Sequence, residues 1–166
     1  EQKFQGYIEQ KNFALKKAKY DHIISLDGDE SLSERLQESI NKLKHEWQND
    51  GYYCNRFNNF CGQWIKHSDW YPNKKIRVFD RRVASWKGIN PHDEIILSTN
   101  KKIGKLKGDM LHLTYQTYSE FNLKVEHFSS ISAKAYFKLG KKSNLFKIIW
   151  NPSWAFFKAY FLRLGF

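Results

Sequence analysis

Asp27, Asp29 and Glu30 are the residues best placed, by type and spacing, to do chemistry in this chain. They follow directly on the apolar run Ile23, Ile24 and Leu26, and Ser31 and Glu34 come straight after them. Such a short apolar run predicts a buried strand of a parallel sheet. Ser31 with Glu34 three residues later predicts a capping box that opens a helix. Carboxylates between that strand and that helix stand at the strand's carboxyl end, where open α/β sheets bind their ligands. Hard oxygen donors suit Mg²⁺ or Mn²⁺, and such ions commonly bridge protein carboxylates to phosphates. The chemistry on offer is a metal-held diphosphate; an acidic polar turn without a ligand is the competing reading. A calcium-binding EF-hand is excluded, because Leu32 fills the loop position that needs glycine and a strand precedes the loop.

Positioning these acids falls to the elements on either side. Ile8, Leu15 and Ala18 recur at near-helical spacing over residues 7–19, so a helix feeds the strand at 22–26. A buried parallel strand needs neighbours on both sides, and no upstream partner strand is present; the chain is expected to be the later part of a larger α/β domain. Downstream, Leu36, Ile40, Leu43 and Trp47 form one apolar stripe of a helix expected to stop at Asn49-Asp50-Gly51. Residues 52–58 and 61–66 are aromatic-rich strand candidates joined around Asn58-Asn59. Trp70-Tyr71-Pro72 reads as a loop and Ile76–Phe79 as a strand. Lys87-Gly88 reads as a loop before His92-Asp93-Glu94, followed by short strands at Ile95–Leu97 and Met110–Tyr115, the latter carrying His112.

From Ser119 onward the character changes. Phe121, Val125, Phe128, Ile131, Ala135 and Leu139 mark a long amphipathic helix ending at Gly140, and a second spans 145–166, broken or kinked at Asn151-Pro152. No acid follows Glu126, whereas Lys134, Lys138, Lys141, Lys142, Lys147, Lys158 and Arg163 do. Aromatic residues interleaved with cations suit an amphipathic helix lying on anionic lipid. The division expected is therefore residues 1–118, then a basic, aromatic helical tail over 119–166.

Composition bounds the rest. An aromatic content of 17% and a hydrophobic content of 41% argue against disorder. The formal net charge of +11 calls for an anionic partner: nucleic acid, anionic lipid or a phosphorylated substrate. Nowhere is there an uninterrupted apolar span of about 20 residues, the length a membrane-crossing helix requires. Cys54 and Cys61 lack the companions a structural zinc site needs and read as free thiols of a reducing compartment.

Taken in order, Gln10-Lys-Asn-Phe-Ala-Leu15, Leu26-Asp-Gly-Asp-Glu30, Trp70-Tyr-Pro72, Lys87-Gly88, His92-Asp93 and Leu106-Lys-Gly-Asp-Met-Leu-His112 resemble family-two glycosyltransferases. The closest branch is that of lipopolysaccharide-core β-1,4-glucosyltransferases, and the resemblance runs over nearly the whole chain. It implies an α/β fold of the GT-A kind, a Rossmann-like nucleotide-diphospho-sugar transferase domain. Here that domain would lack its first strands and carry a C-terminal amphipathic helical segment. It further implies Mg²⁺ or Mn²⁺ as cofactor and an inverting transfer of a hexose, glucose favoured. The donor would be a nucleotide-diphosphate sugar such as a UDP-hexose, the acceptor a lipid-linked saccharide. The implied setting is the inner face of the cytoplasmic membrane, against an anionic lipid surface and without nucleic acid.

The resemblance also distributes roles. Asp29 would touch the metal, with Asp27 on the metal or the ribose, and His112 would complete the metal shell or contact the diphosphate. Gln10, Lys11 and Asn12 would lie near the nucleotide. Trp70, Tyr71, Arg77, Lys87 and Gly88 would line the acceptor side, where aromatic faces suit sugars and arginine suits phosphate. An inverting transfer needs a carboxylate to take the proton of the acceptor hydroxyl across the sugar from the leaving group. Asp93 aligns with the family's acid, with Glu94 as the alternative; successive residues of an extended segment point opposite ways, so one of the two faces the cleft. Two other classes compete: a basic nucleic-acid-binding module, for which no recognised motif is present, and a non-catalytic membrane-associating remnant.

Overall fold

The computed structural model describes residues 3–89, 92–98 and 100–165. It is a mixed α/β fold. Helix α1 (Tyr7–Lys17) leads into β1 (His22–Ile24), a turn, β2 (Glu30–Leu32) and α2 (Glu34–Leu43). Strands β3 (Gly51–Phe60), β4 (Gln63–Trp64), β5 (Asn73–Asp80), β6 (Ala84–Ile89), β7 (His92–Leu97) and β8 (Ile103–Tyr115) follow. Helices α3 (Tyr118–Lys138) and α4 (Leu145–Phe157) close the chain, with a π-helical turn at Lys158–Leu162. One sheet has the order β1-β5-β3-β8-β2, with β4 paired to β3; β6 and β7 form a separate hairpin. The chain divides into two units, residues 1–56 with 74–112 and residues 57–73 with 113–166.

In the first unit, Leu36, Ile40 and Leu43 of α2 bury against Tyr52, Cys54, Val78, Leu106 and Met110. The stripe is spaced three and four residues apart, which puts it on one helix face. A second cluster gathers Phe79, Trp86 and Ile95, with Ile8 and Leu15 of α1 packed against them. Val78 and Phe79 are successive residues of β5 and enter different clusters, as a pleated strand requires. Gly108 makes the seat of α2 possible: at φ 94° it brings β8 so near that a Cβ would lie 2.4 Å from the Leu36 nitrogen.

The second unit is built on aromatic edges. Phe60, Tyr115 and Phe121 meet pairwise at 5.1–5.8 Å in edge-on geometry, and Trp70 joins Phe60 at 5.8 Å. Buried Asn58 donates to the Trp70 carbonyl and accepts from Thr114.

Several expectations need correction. His22–Ile24 is not a buried parallel strand: it pairs antiparallel with β5 and ends the sheet, so Ile23 packs inward while Ile24 is exposed. Ser31 does not cap α2, because β2 carries it into the ladder opposite Leu111. The helix starts only once that ladder ends, at Ser33, whose hydroxyl accepts from the N–H groups of Leu36 and Asp109. α2 stops at Leu43, and Gly51 opens β3 instead of capping the helix, since Asp50 and Gly51 are already hydrogen-bonded to the Lys102 carbonyl. β3 runs through Asn58-Asn59 and turns at Cys61-Gly62, where Gly62 supplies φ 85°. Lys87-Gly88 lies in strand β6, not a loop. α4 continues through Pro152, which forfeits one backbone donor, while the Ser153 hydroxyl bonds the Ile149 carbonyl.

Candidate active site

The turn after β1 presents the acids. Ser25 N–H still bonds the Arg77 carbonyl of β5, then the chain leaves the sheet, and Glu30 N–H closes the turn on the Asp27 carbonyl at 3.0 Å. The Glu30 side chain is fully enclosed. Its carboxylate accepts from Asp27 N–H at 3.0 Å and from the Arg77 guanidinium at 3.0 Å, with Arg56 at 3.7 Å. Arg77 also donates to Asp27 at 3.0 Å. The backbone of the turn is thus held from below by an acid that is itself neutralised by two arginines.

Lys11, from α1, reaches the same point. Its ammonium lies 2.9 Å from Asp27 and 2.8 Å from Asp93, and 4.3 Å from the centre of the Trp86 ring. One cation therefore joins an acid of the β1–β2 turn to an acid of β7. Asn12, one residue on, both donates to the Trp86 carbonyl and accepts from its N–H, fixing β6 against α1. Gly88 stands opposite Asp93 in the hairpin at φ 125°, and a Cβ there would come within 2.3 Å of the His92 carbonyl oxygen. Only glycine lets the hairpin close this tightly, and the closure sets where Asp93 lies.

On the other flank, β2 pairs Glu30 with His112 of β8, which places the imidazole Nε2 3.4 Å from Asp29. Asp29 is the most exposed of these acids, and among the described ion pairs it meets no lysine or arginine. Burial, and then Arg56, lower the His112 pKa against the pull of Asp29, Glu30 and Asp27, which favours the neutral imidazole. Burial raises Asp27, but Arg77 and Lys11 together outweigh it and hold its carboxyl below the ordinary carboxylate value.

Could these residues hold a divalent cation? Among the described residues no group of three acids, histidines or cysteines is close enough to cage one. Mg²⁺ does not require a cage: it keeps several waters and is commonly held by one or two carboxylates plus substrate phosphates. Asp29 with a neutral His112 fits that role, since metals take the deprotonated imidazole. Asp27 is turned toward Lys11 and Arg77.

Of the residues singled out in sequence, the structure brings Lys11, Asn12, Asp27, Asp29, Arg77, Asp93 and His112 together in the first unit. Arg77, expected on the acceptor side, is buried and braces the acidic turn. Gln10 is exposed on α1; Lys87 and Glu94 are exposed and pair across the hairpin. Trp70 and Tyr71 lie in the second unit, Trp70 against Phe60 and Tyr71 5.0 Å from Phe57. Sequence reasoning passed over Arg56 and Trp86. Arg56 had a signal: it continues the inward line Tyr52–Cys54 of β3 at period two, and an inward arginine demands a buried carboxylate.

Comparison with known proteins gives this geometry a context. Uncharacterized glycosyltransferases of Rickettsia bellii, Rickettsia prowazekii and Rickettsia typhi are each 29% identical to the chain over 171, 171 and 168 residues. The matches cover 95% of this chain and 57%, 58% and 58% of those proteins, so it spans less than three fifths of their length. No family model matches. No solved structure matches either. The chain is thus similar, along nearly all of its own length, to part of proteins named as glycosyltransferases.

Proposed function

We propose that the chain is part of a metal-dependent, inverting glycosyltransferase of the GT-A kind, similar to family two. In this reading it moves a hexose, glucose favoured, from a nucleotide-diphosphate sugar such as a UDP-hexose. The acceptor is a lipid-linked saccharide of the cell envelope, such as lipopolysaccharide core. The observation that carries the proposal is Lys11 joining Asp27 to Asp93, beside the pair Asp29–His112.

The roles follow from the chemistry of each group. Asp29 and His112 would hold Mg²⁺ or Mn²⁺, which when bound offsets the charge that develops on a departing diphosphate. Asp93 takes the proton of the acceptor hydroxyl as its oxygen bonds to the anomeric carbon. The bond from that carbon to the diphosphate breaks on the opposite face, and its electron pair leaves with the phosphate. Lys11 pairs with Asp93 at 2.8 Å and is itself a cation within reach of an arriving phosphate. Trp86 lies under that ammonium and keeps it between the two acids.

Titration calorimetry with UDP in the presence and absence of Mn²⁺ tests the donor side. The intact protein should bind UDP more tightly with Mn²⁺, and Asp29→Asn should lose that Mn²⁺-dependent gain while keeping its circular dichroism. Equal UDP affinity with and without Mn²⁺, or an unchanged gain in Asp29→Asn, removes Asp29 from a metal site.

A further inference from the structure

Helix α4 carries apolar side chains around nearly its whole circumference, and it carries them in the open. Phe146, Trp150, Trp154 and Phe157 stack one on the next at 5.8, 6.4 and 5.8 Å, and all four are exposed. Residues three and four apart share a helix face, so these rings form one continuous ladder. Ile149 and Phe156, also exposed, extend the apolar surface beyond it. Apart from Ser153, whose hydroxyl is taken up by the Ile149 carbonyl, the polar groups Asn144, Lys147, Asn151 and Lys158 fall along a single edge by the same spacing. No helix among the described residues is long and apolar enough to cross a membrane. Tryptophans and phenylalanines along one side and lysines along another edge are the residue types by which a helix lies in a bilayer interface.

Two further observations select the occupant. The first is charge: no acid follows Glu126, while seven lysines and arginines do. A second copy of this surface would bring cations against cations, whereas an anionic headgroup layer complements it. Nucleic acid would match the charge but offers no acyl layer for the tryptophans and phenylalanines. The second is attachment. Arg163 forms an ion pair with Asp69, Lys158 lies 3.6 Å from the same carboxylate, and Ser68 N–H bonds the Arg163 carbonyl. The turn after α4 is thereby fastened to the 68–70 segment of its own unit, and the aromatic ladder stays outward.

We propose that α4 and the turn after it form an interfacial anchor for an anionic bilayer surface. The ladder sinks to the headgroup–acyl boundary, and Asn144, Lys147 and Asn151 face water and phosphates. Nothing in this inference depends on the transfer chemistry, so either can fail alone.

The test uses the full chain with sedimentable vesicles, either phosphatidylcholine alone or phosphatidylcholine with one-third phosphatidylglycerol. The chain should pellet with the anionic vesicles, less with the neutral ones, and progressively less as salt screens the attraction. Brominated acyl chains should quench its tryptophan emission. The double variant Trp150→Glu with Trp154→Glu replaces two exposed residues, so circular dichroism should not change while partitioning falls by about tenfold or more. Lys142→Glu with Lys147→Glu should weaken binding to anionic vesicles only. A chain that stays in the supernatant with both vesicles, a ladder variant that pellets like the parent, or an absence of bromolipid quenching each overturns the proposal. So does a vesicle-indifferent dimer that the ladder variant converts to monomer, which would make a second copy the occupant.

Discussion

Glu30 is the residue that closes the acidic turn, and its environment has a measurable consequence. Its carboxylate is enclosed and faces two arginines, one of which also holds Asp27. Removing one partner of a buried pair strands the other charge, at a cost of about 3–5 kcal/mol. Glu30→Gln should therefore lower unfolding free energy by that order in urea titration, whereas Glu94→Gln, on the exposed side of the hairpin, should change it by less than about 0.5 kcal/mol. Cys54 and Cys61 make a second contrast. Burial pushes the Cys54 thiol up to about 11, while Cys61 is exposed at the β3–β4 turn. Iodoacetamide at pH 8 should modify Cys61 in the native protein and reach Cys54 only on unfolding; rapid native labelling of both would show that β3 is not packed as described. At this scale the sequence revealed residue types but not their company. That Asp27 and Glu30 are acids is plain from the chain; that one is shared between Lys11 and Arg77 and the other is sealed beneath it depends on pairings across the fold.

Helices were legible where their own periodicity carried the signal. The Leu36–Ile40–Leu43 stripe packs as its spacing dictates, and α1 and α3 form close to their expected bounds. Strand partners were not legible, because an apolar run such as 22–26 looks the same whether its neighbours are parallel or antiparallel. The cap of α2 was misplaced for a related reason: Ser31 and Ser33 are both competent, and only the pairing of β2 with β8 decides between them. Gly88 shows how an element can carry a site. A side chain there would meet the His92 carbonyl oxygen at 2.3 Å in a conformation that L residues rarely adopt. Gly88→Ala should therefore destabilise the protein by about 1–3 kcal/mol. It should also displace Asp93 from Lys11, read as changed chemical shifts at the Lys11 ammonium; a neutral Gly88→Ala would mean that the hairpin has slack.

For the whole chain, the uneven placement of charge organises function. Acids concentrate in the first unit around Lys11, Arg56 and Arg77, while cations without acids occupy the end of the second. The first arrangement suits a cation and a diphosphate; the second suits an anionic surface. The central proposal is that Asp93 is the base, and the discriminating measurement is sugar transfer and donor affinity, determined separately for Asp93→Asn and Glu94→Gln. Asp93 is mostly enclosed beside Lys11, and Glu94 points away from it. Asp93→Asn should lower turnover by about 10²–10⁴-fold with donor affinity nearly unchanged, as loss of a positioned base does, and Glu94→Gln should transfer at the parent rate. A crippled Glu94→Gln alongside an active Asp93→Asn would contradict the assignment and put the base one residue further along β7.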